Sequence, residues 1–515
     1  MSSDAHGVDA SGGRGHAVVI GSGFAGLTAA RALANSVDRV TVIERDPLPP
    51  GAARRPGLAQ ARHTHTLTTA AQQGLEQLFP GIGGDLRRAG AVEVRLPEDA
   101  LVLGPAGWLP RFTSGLTMLS AGRDLIDAVL RERLRTQPAV HFLPGHEVLA
   151  LQPDRHDTVT GVWVRARNRR RPGGWDTEHL ISADFVVDAS GRHSRAPHWL
   201  AALGYEAPAE TVAATGTTYV SSVFAPPVGH VADWQSLLLM AGPDNPRQGT
   251  LTPIEGGRWS VTLTLAQGER PPADHAGLLR AAGRLRHPLL HDLLRTATPL
   301  GPVYAGTGTD NRWRHYEKQR RWPDQFLVIG DALAAVDPAH GQGMTLAVQG
   351  ALVLDHVLAG HGTTVGLAYR LRRALAHRLA PAWQASTRHL RTSTAPGPPR
   401  GLRARLAMRY TARLAARAAT DPHAATRLLA RLQAAGPLAA VPRPRPPRTA
   451  APAPPAPGWP APPSITHGAH ARRRTAPAPA APPAIGIATG SARLHPAGSS
   501  AQWPAPAPAG EGRHP

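Results

Sequence analysis

The sequence of 515 residues contains no cysteine. Disulfide bonds, thiolate metal sites and cysteine nucleophiles are therefore excluded, and nothing in the composition points to an oxidising compartment. The N-terminus also lacks the apolar segment of a signal peptide, and no uninterrupted apolar run approaches the length of a membrane span. These absences predict a cytoplasmic protein without a membrane span.

Lysine is almost absent as well, because Lys318 is the only one and arginine supplies the remaining basic side chains. Of the formal net charge of +21, residues 396–515 carry two thirds, with sixteen arginines and two acidic residues. The motifs described below lie before this basic region, so we expect no nucleic-acid partner. From about residue 441 the chain consists largely of alanine and proline with isolated arginines, a composition that predicts disorder.

Residues 16–46 have the pattern of a strand, a glycine turn, a helix and a second strand. The turn reads Gly21-Ser22-Gly23-Phe24-Ala25-Gly26, and Glu44 ends the second strand. In such a fingerprint the first glycine makes a tight turn, the second lets backbone amides approach a pyrophosphate, and the third lets helix and strand pack closely. Glu44 stands where a carboxylate accepts ribose hydroxyls, which predicts a bound dinucleotide. A glycine turn that serves packing alone is the alternative.

A second signature follows some three hundred residues later. Gly330 and Asp331 come directly after an apolar strand, and Pro338 and Gly341-Gln342-Gly343-Met344 precede a long apolar helix. An aspartate at a strand end can bind a ribityl or ribose hydroxyl, and glycines at a helix start let N–H groups reach a flavin ring. This second signature favours FAD over NAD as the resident cofactor. The single dinucleotide fingerprint predicts that the chain carries only one permanent dinucleotide domain.

Between the two signatures the pattern changes to β-type runs around residues 217–224, 236–240 and 259–264. We therefore predict an α/β fold, in which a Rossmann-like domain carries an inserted, mainly antiparallel sheet domain and is followed by C-terminal helices and a disordered tail. The expected divisions are a flexible lead (1–15), the nucleotide domain (16–204 and 316–395), the substrate-binding sheet (205–315), the C-terminal helices (396–440) and the tail (441–515).

Arg62-His63-Thr64-His65 is the most concentrated histidine motif in the chain. Two histidines two residues apart would lie on one side of an extended segment, as metal ligands can. No third ligand cluster stands out among the 25 histidines, so no metal is expected.

Three motifs, taken together, resemble a known family. Gly21–Gly26 with Glu44, the turn at residues 186–192, and the segment 330–344 are similar, in order and spacing, to the three signatures of class A (para-hydroxybenzoate hydroxylase-like) FAD monooxygenases. Residues 55–65, 311–316 and 334–344 further resemble a branch of natural-product oxygenases that includes polyether epoxidases. The likeness covers residues 16 to about 435.

The resemblance implies bound FAD, with NAD(P)H as a transient co-substrate. It assigns cofactor contacts to Gly21, Ser22, Gly23, Phe24, Ala25, Gly26, Glu44, Arg45, Arg123, Asp188, Gly330, Asp331, Pro338, Gly341, Gln342, Gly343 and Met344. For Asp188 a purely structural role in a turn is the alternative. Arg62 and His63 are the candidates for lining the active site, and a solvated loop is the alternative for them.

The implied reaction is epoxidation or hydroxylation of an apolar small molecule, a polyketide or terpenoid of secondary metabolism such as antibiotic biosynthesis. In this class O₂ adds at C4a of reduced FAD, and the hydroperoxide transfers one oxygen to the substrate. The candidates for the pocket wall are Tyr219, Val223, Phe224, Leu238 and Met240. The alternative is an FAD-dependent reductase or dehydrogenase of a lipid-like substrate. The motifs of geranylgeranyl reductases and flavin halogenases are absent, and a non-enzymatic flavoprotein would show no substrate-dependent NAD(P)H oxidation.

Overall fold

The structure is a computed structural model that describes residues 15–168, 174–214, 216–242, 244–338, 341–361, 366–394 and 402–433. Nearly all of the expected lead and the whole of the expected tail, residues 441–515, lie outside the described residues.

The helices in the described part of the chain are α1 (Phe24–Leu33), α2 (Thr69–Leu78), α3 (Ile82–Arg88), α4 (Arg123–Arg135), α5 (Ala196–Ala202), α6 (His275–Ala282), α7 (Leu289–Thr296), α8 (Gly343–His361), α9 (Leu367–Thr394), α10 (Leu402–Ala418) and α11 (Pro422–Leu432). The strands are β1 (His16–Ile20), β2 (Arg39–Glu44), β3 (Thr66–Thr68), β4 (Val92–Pro97), β5 (Ala100–Gly104), β6 (Gly107–Trp108), β7 (Thr113–Ser120), β8 (Val140–Pro144), β9 (His146–Pro153), β10 (Val159–Arg167), β11 (Trp175–Ser182), β12 (Phe185–Asp188), β13 (Glu210–Ala213), β14 (Tyr219–Ala225), β15 (Ser236–Leu239), β16 (Gln248–Ile254), β17 (Arg258–Thr264), β18 (Thr298–Pro299), β19 (Tyr304–Gly306), β20 (Asn311–Arg314), β21 (Phe326–Val328) and β22 (Ala334–Ala335).

A parallel sheet with the strand order β21-β12-β1-β2-β8 forms the nucleotide half of the molecule. Its central strands are largely apolar because α1 and the antiparallel strands β9 and β10 pack against the sheet, and Ala17, Val18 and Val187 are fully buried. The ends of β1 and β12 are brought side by side by the pairing of Ile20 with Asp188. Loops that follow parallel strands meet at this edge, where ligands bind in open α/β folds.

An eight-stranded sheet forms the second half, in the order β18-β14-β17-β16-β15-β5-β6, with β19 also paired to β14. All its pairings are antiparallel except that of β15 with β5. One face is apolar and packs in a single core with residues of α6 and α7. Strands β5 and β6 come from the part of the chain before the expected insert, so the second sheet is built from two separate stretches.

The C-terminal helices α10 and α11 pack against strands β4, β5 and β7. Leu414, Ala418 and Leu428 are buried in one apolar cluster with residues such as Leu96 and Val102. With the Rossmann-like sheet, the mainly antiparallel sheet and these helices in place, the expected α/β fold class is confirmed.

Helix α8 contains one stretch, Gly343–Gly360, that is long and apolar enough to cross a membrane by length and composition. Half of this stretch is buried. Helix α8 packs against α1, α2 and α9, as a central helix of a folded core does.

Candidate functional site

One cavity of about 1620 Å³ extends from the ends of β1 and β2 to the eight-stranded sheet. Pockets for single small molecules usually measure roughly 300–1,000 Å³, so this cavity has room for a dinucleotide and a second molecule. The residues predicted for the site that line it are Gly21, Gly23, Phe24, Ala25, Glu44, Arg45, Arg62, His63, Arg123, Asp331, Pro338, Gly341, Gln342, Gly343 and Met344. The predicted residues that do not line it are Ser22, Gly26, Asp188 and Gly330.

The glycine turn between β1 and α1 has the geometry that the fingerprint predicts. Gly21 has φ +96°, and a Cβ on Gly26 would lie 1.9 Å from the carbonyl oxygen of Gly21. In contrast, a Cβ on Gly23 would meet no atom within 4 Å. Gly21 and Gly26 therefore make the turn and its close packing, whereas Gly23 leaves the space beside the first N–H groups of α1 open to an anion.

Glu44 is held in place by four hydrogen bonds. The backbone N–H and hydroxyl of Ser22 donate to Oε2 at 3.0 and 2.6 Å, Arg55 Nη2 donates to the same oxygen at 2.5 Å, and the N–H of Asp46 donates to Oε1 at 3.0 Å. Burial opposes ionisation, but Arg55 and these hydrogen bonds outweigh it and hold the pKa of Glu44 below its usual value. The carboxylate is thus charged, and Oε1 keeps capacity to accept from a ribose hydroxyl.

Arg123 is the first residue of α4 and is buried in the cavity wall. Its Nε donates to Asp127 Oδ1 at 2.7 Å, and the other carboxylate oxygen of Asp127 lies 3.9 Å from Arg55 Nη1. Sequence reasoning missed both Arg55 and Asp127 as residues of the site. Asp127 stands four residues after Arg123 on one helix, a spacing that could have indicated the pair.

Asp331 lines the cavity directly after β21, within a short 3-10 helix. Burial raises the pKa of its carboxyl group, although Arg192 and Arg123 oppose the shift. In the described part of the chain no group donates a hydrogen bond to its carboxylate oxygens, so the hydroxyls of a ligand would supply the missing donors.

Asp188 and Gly330 do not line the cavity, but they stabilise the elements that form its wall. The N–H of Ser190 donates to Asp188 Oδ1 at 2.9 Å, and the hydroxyl of Ser194 donates to Oδ2 at 2.5 Å. Asp188 therefore stabilises the turn after β12, the alternative recognised from the sequence. A Cβ on Gly330 would lie 2.6 Å from the Cβ of Ala25, so this glycine permits the close approach of β21 to α1.

Pro338 and Gly341–Met344 form the wall of the cavity at the start of α8. The N–H of Gly341 donates to the carbonyl of Pro338 at 2.9 Å, and a Cβ on Gly343 would meet no atom within 4 Å. The open space at Gly343 lets a flat ring approach the first N–H groups of α8. His340, part of the quoted motif, lies outside the described residues.

The segment Arg62–His65 lies against one face of the eight-stranded sheet. Thr64 Oγ1 is 2.8 Å from both Ser260 Oγ and Thr262 Oγ1, and His63 Nδ1 is 2.8 Å from Ser221 Oγ. Ser221 Oγ is in turn 2.7 Å from Thr262 Oγ1. This hydroxyl cluster (Thr64, Ser221, Ser260 and Thr262) fixes the segment in the cavity wall.

Both histidines of the segment are neutral at neutral pH. Burial, and to a smaller extent Arg62, lowers the pKa of His63. Burial lowers the pKa of His65 to about 3; Arg123 adds to this shift, and the hydrogen bond to the carbonyl of His63 opposes it. His65 Nδ1 donates to the carbonyl of His63 at 2.9 Å, which leaves Nε2 as a hydrogen-bond acceptor. No group of three or more histidines or carboxylates that could hold a metal ion occurs among the described residues.

The second half of the cavity is lined by the face of the sheet opposite to its apolar core. Three of the predicted wall residues, Tyr219, Leu238 and Met240, line it, but Phe224 and Val223 do not. The prediction for Phe224 was wrong because strand residues alternate between faces, and Phe224 belongs to the core with α6 and α7. The polar lining residues of this face are Tyr219, Ser236, Gln248, Thr250, Thr252, Thr262 and Thr264.

The C-terminal helices close the cavity, which the sequence did not indicate. Their lining residues are Thr411, Ala412, Ala415, Leu428, Leu429, Arg431, Leu432 and Gln433. The basic, alanine-rich composition of α10 and α11 carries no motif that would assign them to a binding site.

The fit of the cavity to FAD rests on its own groups. The space at Gly23 and Gly343 is open next to two helix N-termini, and the half-buried carboxylate of Asp331 lacks a donor in the described residues. FAD carries a group that fits each of these sites. Its pyrophosphate would fit the space at Gly23, its flat ring the space at Gly343, and its ribose and ribityl hydroxyls could donate to Asp331.

Comparison with known proteins agrees with this fit. Residues 15–389 match the protein family described as FAD binding domain. The chain is 32% identical to the protein Rv3254 of Mycobacterium tuberculosis over 72% of its own length and 78% of the relative. It is 28% identical to 6-methylpretetramide 4-monooxygenase of Streptomyces rimosus, over 72% of this chain and 81% of that one. Among solved structures, p-nitrophenol 4-monooxygenase from Pseudomonas putida has a TM-score of 0.55 at 19% identity, with 81% of this chain and 98% of that chain covered.

The fold and the site thus define a flavoprotein, and FAD is its cofactor. The chain belongs to the FAD-binding-domain family, and the class expected from the three signatures, the FAD-dependent monooxygenases, is confirmed. NAD(P)H is the co-substrate typical of this family.

Proposed function

We propose that this enzyme uses NAD(P)H and O₂ to hydroxylate or epoxidise a largely apolar natural product of polyketide or terpenoid type. One observation carries the proposal: a single cavity joins the FAD site to a second chamber that is large enough for another molecule. The relative named 6-methylpretetramide 4-monooxygenase supports a natural-product substrate.

The first task of the chain is to hold the cofactor. The open space at Gly23 and the N-terminus of α1 would bind the pyrophosphate, while Glu44 and Asp331 would accept hydrogen bonds from ribose and ribityl hydroxyls. Arg123, kept in place by Asp127, places a cation at the same wall. When bound, FAD supplies the reduction by NAD(P)H and the activation of O₂.

The second task is to bind the substrate beside the flavin and to exclude water. Leu238, Met240, Leu428 and Leu429 give the second chamber an apolar wall that holds a substrate without ordered water. Neutral His65, with Nε2 as an acceptor, can take a hydrogen bond from a substrate hydroxyl without adding charge. Arg62 and His63 remain the candidates for contact with the reacting group.

The test combines flavin content with the fate of oxygen. We expect the purified protein to be yellow, and to consume NAD(P)H faster in the presence of hydroxylated anthraquinones or polyenes. One atom from ¹⁸O₂ should enter the product. A reductase would consume NAD(P)H and reduce the added compound under nitrogen, without incorporation of ¹⁸O.

The matched control is Gly23→Val. Its side chain would enter open space, so the apo-protein should fold, but the pyrophosphate site should be blocked. We expect this variant to be colourless and inactive. A colourless wild-type protein that cannot be reconstituted with FAD would contradict the proposal.

A further inference from the structure

The wall that closes the cavity lies outside the part of the chain that matches the family. The family match ends at residue 389, whereas α10 and α11 span residues 402–418 and 422–432. Eight residues from this helix pair and its end line the cavity. The wall is therefore built by the stretch of chain that follows the family match, and it lies where it can act on the substrate.

Two buried glutamines join the end of α11 to the rest of the site. Gln433 Oε1 accepts a hydrogen bond from the N–H of Thr69 at 3.1 Å, which connects the wall to the start of α2. Gln342 Nε2 donates to the carbonyl of Leu432 at 3.3 Å, which connects the wall to the segment at the start of α8. The two glutamines are 6% and 4% exposed. The position of α11 is thus coupled to the segment that the flavin ring would contact.

The lining of the second chamber differs from one side to the other. Leu428, Leu429 and Leu432 of the wall share an apolar cluster with Leu238 and Met240 of the sheet. This side can bury a flat hydrocarbon surface.

The next strands of the same sheet face carry hydroxyl groups. Leu238 pairs with Thr250, and Thr250 pairs with Thr262, so the lining changes from apolar to polar across β15, β16 and β17. Thr252 is 4% exposed, and its hydroxyl has no partner within the described residues. A buried hydroxyl without a partner is costly unless a ligand completes it.

We propose that the α10–α11 pair is the specificity-determining wall of this enzyme, and that it selects a flat, apolar molecule with oxygen atoms along one edge. Leu429 and Leu432 are the specificity-determining residues for the apolar body, and Thr252 is the residue that recognises the oxygen-bearing edge. Gln433 is a positioning residue that sets the wall against α2. This inference rests on the proposed function, because it takes the second chamber as the place of oxygenation.

The first experiment measures binding of two probes to the FAD-loaded full-length enzyme. The probes are 1,8-dihydroxyanthraquinone and anthracene, which share a flat tricyclic body but differ in their oxygen atoms. We expect the wild type to prefer the quinone, Leu432→Ala to weaken binding of both probes roughly tenfold, and Thr252→Val to reduce the preference for the quinone. Arg427→Ala, an exposed residue of α11 that does not line the cavity, should change neither affinity.

The second experiment tests the role of Gln433 by measuring hydrogen peroxide released per NAD(P)H consumed, because a loss of stability alone would not change this ratio. We expect Gln433→Leu to release more hydrogen peroxide per NAD(P)H consumed in the presence of the quinone, at unchanged FAD content. Gln433→Glu, which keeps an acceptor for the N–H of Thr69, should restore the wild-type ratio.

The outcomes separate this inference from the proposed function. Suppose that the wild-type protein binds FAD and oxidises NAD(P)H, but does not bind the quinone or binds it no more tightly than Leu432→Ala does. This result would overturn the specificity-determining role of the α10–α11 wall and leave the proposed function standing. An unchanged peroxide ratio in Gln433→Leu overturns the positioning role of Gln433. A protein that binds no FAD overturns the proposed function itself.

Discussion

Two carboxylates that the sequence assigned to the same task have opposite environments in the structure. Glu44 accepts four hydrogen bonds, one of them from Arg55, and its pKa is lowered. Asp331 is half-buried without a donor in the described residues, and its pKa is raised. Glu44 therefore stabilises the empty fold, whereas Asp331 costs folding free energy that the cofactor would return.

The first prediction concerns Asp331→Asn in the FAD-free protein. Because the folded-state pKa lies above the reference value of 3.8, the carboxyl group has no effect on stability below about pH 3.8. It becomes increasingly destabilising as the pH rises toward the folded-state pKa. In urea titrations we expect Asp331→Asn to raise the free energy of unfolding at pH 7. This gain should shrink as the pH falls and vanish below about pH 3.8. FAD affinity should fall about 10- to 100-fold, since a charged hydrogen bond contributes roughly 1.5–3 kcal/mol.

Glu44→Gln is the control, because Glu44 accepts four hydrogen bonds and its pKa is lowered rather than raised. Its replacement should lower the stability of the FAD-free protein. If Asp331→Asn also lowered that stability, the carboxylate of Asp331 would stabilise the empty fold as that of Glu44 does, and the argument that Asp331 waits for a donor from the cofactor would fail.

At the scale of residues, the sequence was sufficient to predict the site where a motif reflects a local geometric requirement. Gly21 and Gly26 are required by a turn and a close contact, and both needs are visible in the fingerprint itself. The partner of Glu44 could not be predicted in the same way. Arg55 lies in a loop, and its contact with Glu44 depends on how that loop folds back over the turn after β1.

At the scale of elements, the segment Arg62–His65 shows how a loop acquires a defined position. Thr262 contacts the side chains of both Thr64 and Ser221, and Ser221 contacts His63. The hydroxyl of Thr262 therefore links two strands of the sheet to the loop that carries the candidate catalytic residues.

The second prediction is that Thr262→Val loosens this loop. The substitution keeps the shape of the side chain but removes one of the hydrogen-bond partners of the half-buried Thr64 hydroxyl and of the buried Ser221 hydroxyl. We expect a loss of roughly 1–3 kcal/mol in the free energy of unfolding. His63 should become more solvated, and its pKa, now lowered by burial, should rise toward the reference value of 6.5 in an NMR titration.

Thr264→Val is the matched control, because Thr264 lies two residues along the same strand and also lines the cavity. It makes no side-chain hydrogen bond within the described residues, so neither stability nor the pKa of His63 should change. Equal effects of the two substitutions would show that the hydroxyl cluster does not hold the loop.

The second sheet marks the limit of prediction at the scale of elements. The runs at residues 217–224 and 259–264 alternate clearly and form β14 and β17 as expected. The pairing of β15 with β5 joins Leu237 to Leu101, more than a hundred residues earlier, and a parallel pairing of this kind leaves no local signature. Which face of β15 and β5 is buried in the apolar core and which lines the cavity therefore depends on this pairing and could not be predicted from composition.

At the scale of the whole molecule, the described cavity uses residues from Ile20 to Gln433. The expected tail, residues 441–515, carries eight arginines and one glutamate, and hence a net charge of +7. The described residues of the site thus precede the stretch that carries a third of the net charge.

The third prediction follows from this separation and concerns two truncations. Deletion of residues 441–515 should leave the FAD content, NAD(P)H oxidation and melting temperature unchanged, and should shift elution from heparin to lower salt because charge is lost. Deletion from residue 402 onward also removes α10 and α11, which exposes the apolar residues of β4, β5 and β7 that the helices bury. We expect this longer deletion to lower the melting temperature and to open the cavity. If the shorter deletion alone removed the flavin, residues 441–515 would have to contribute to the FAD site.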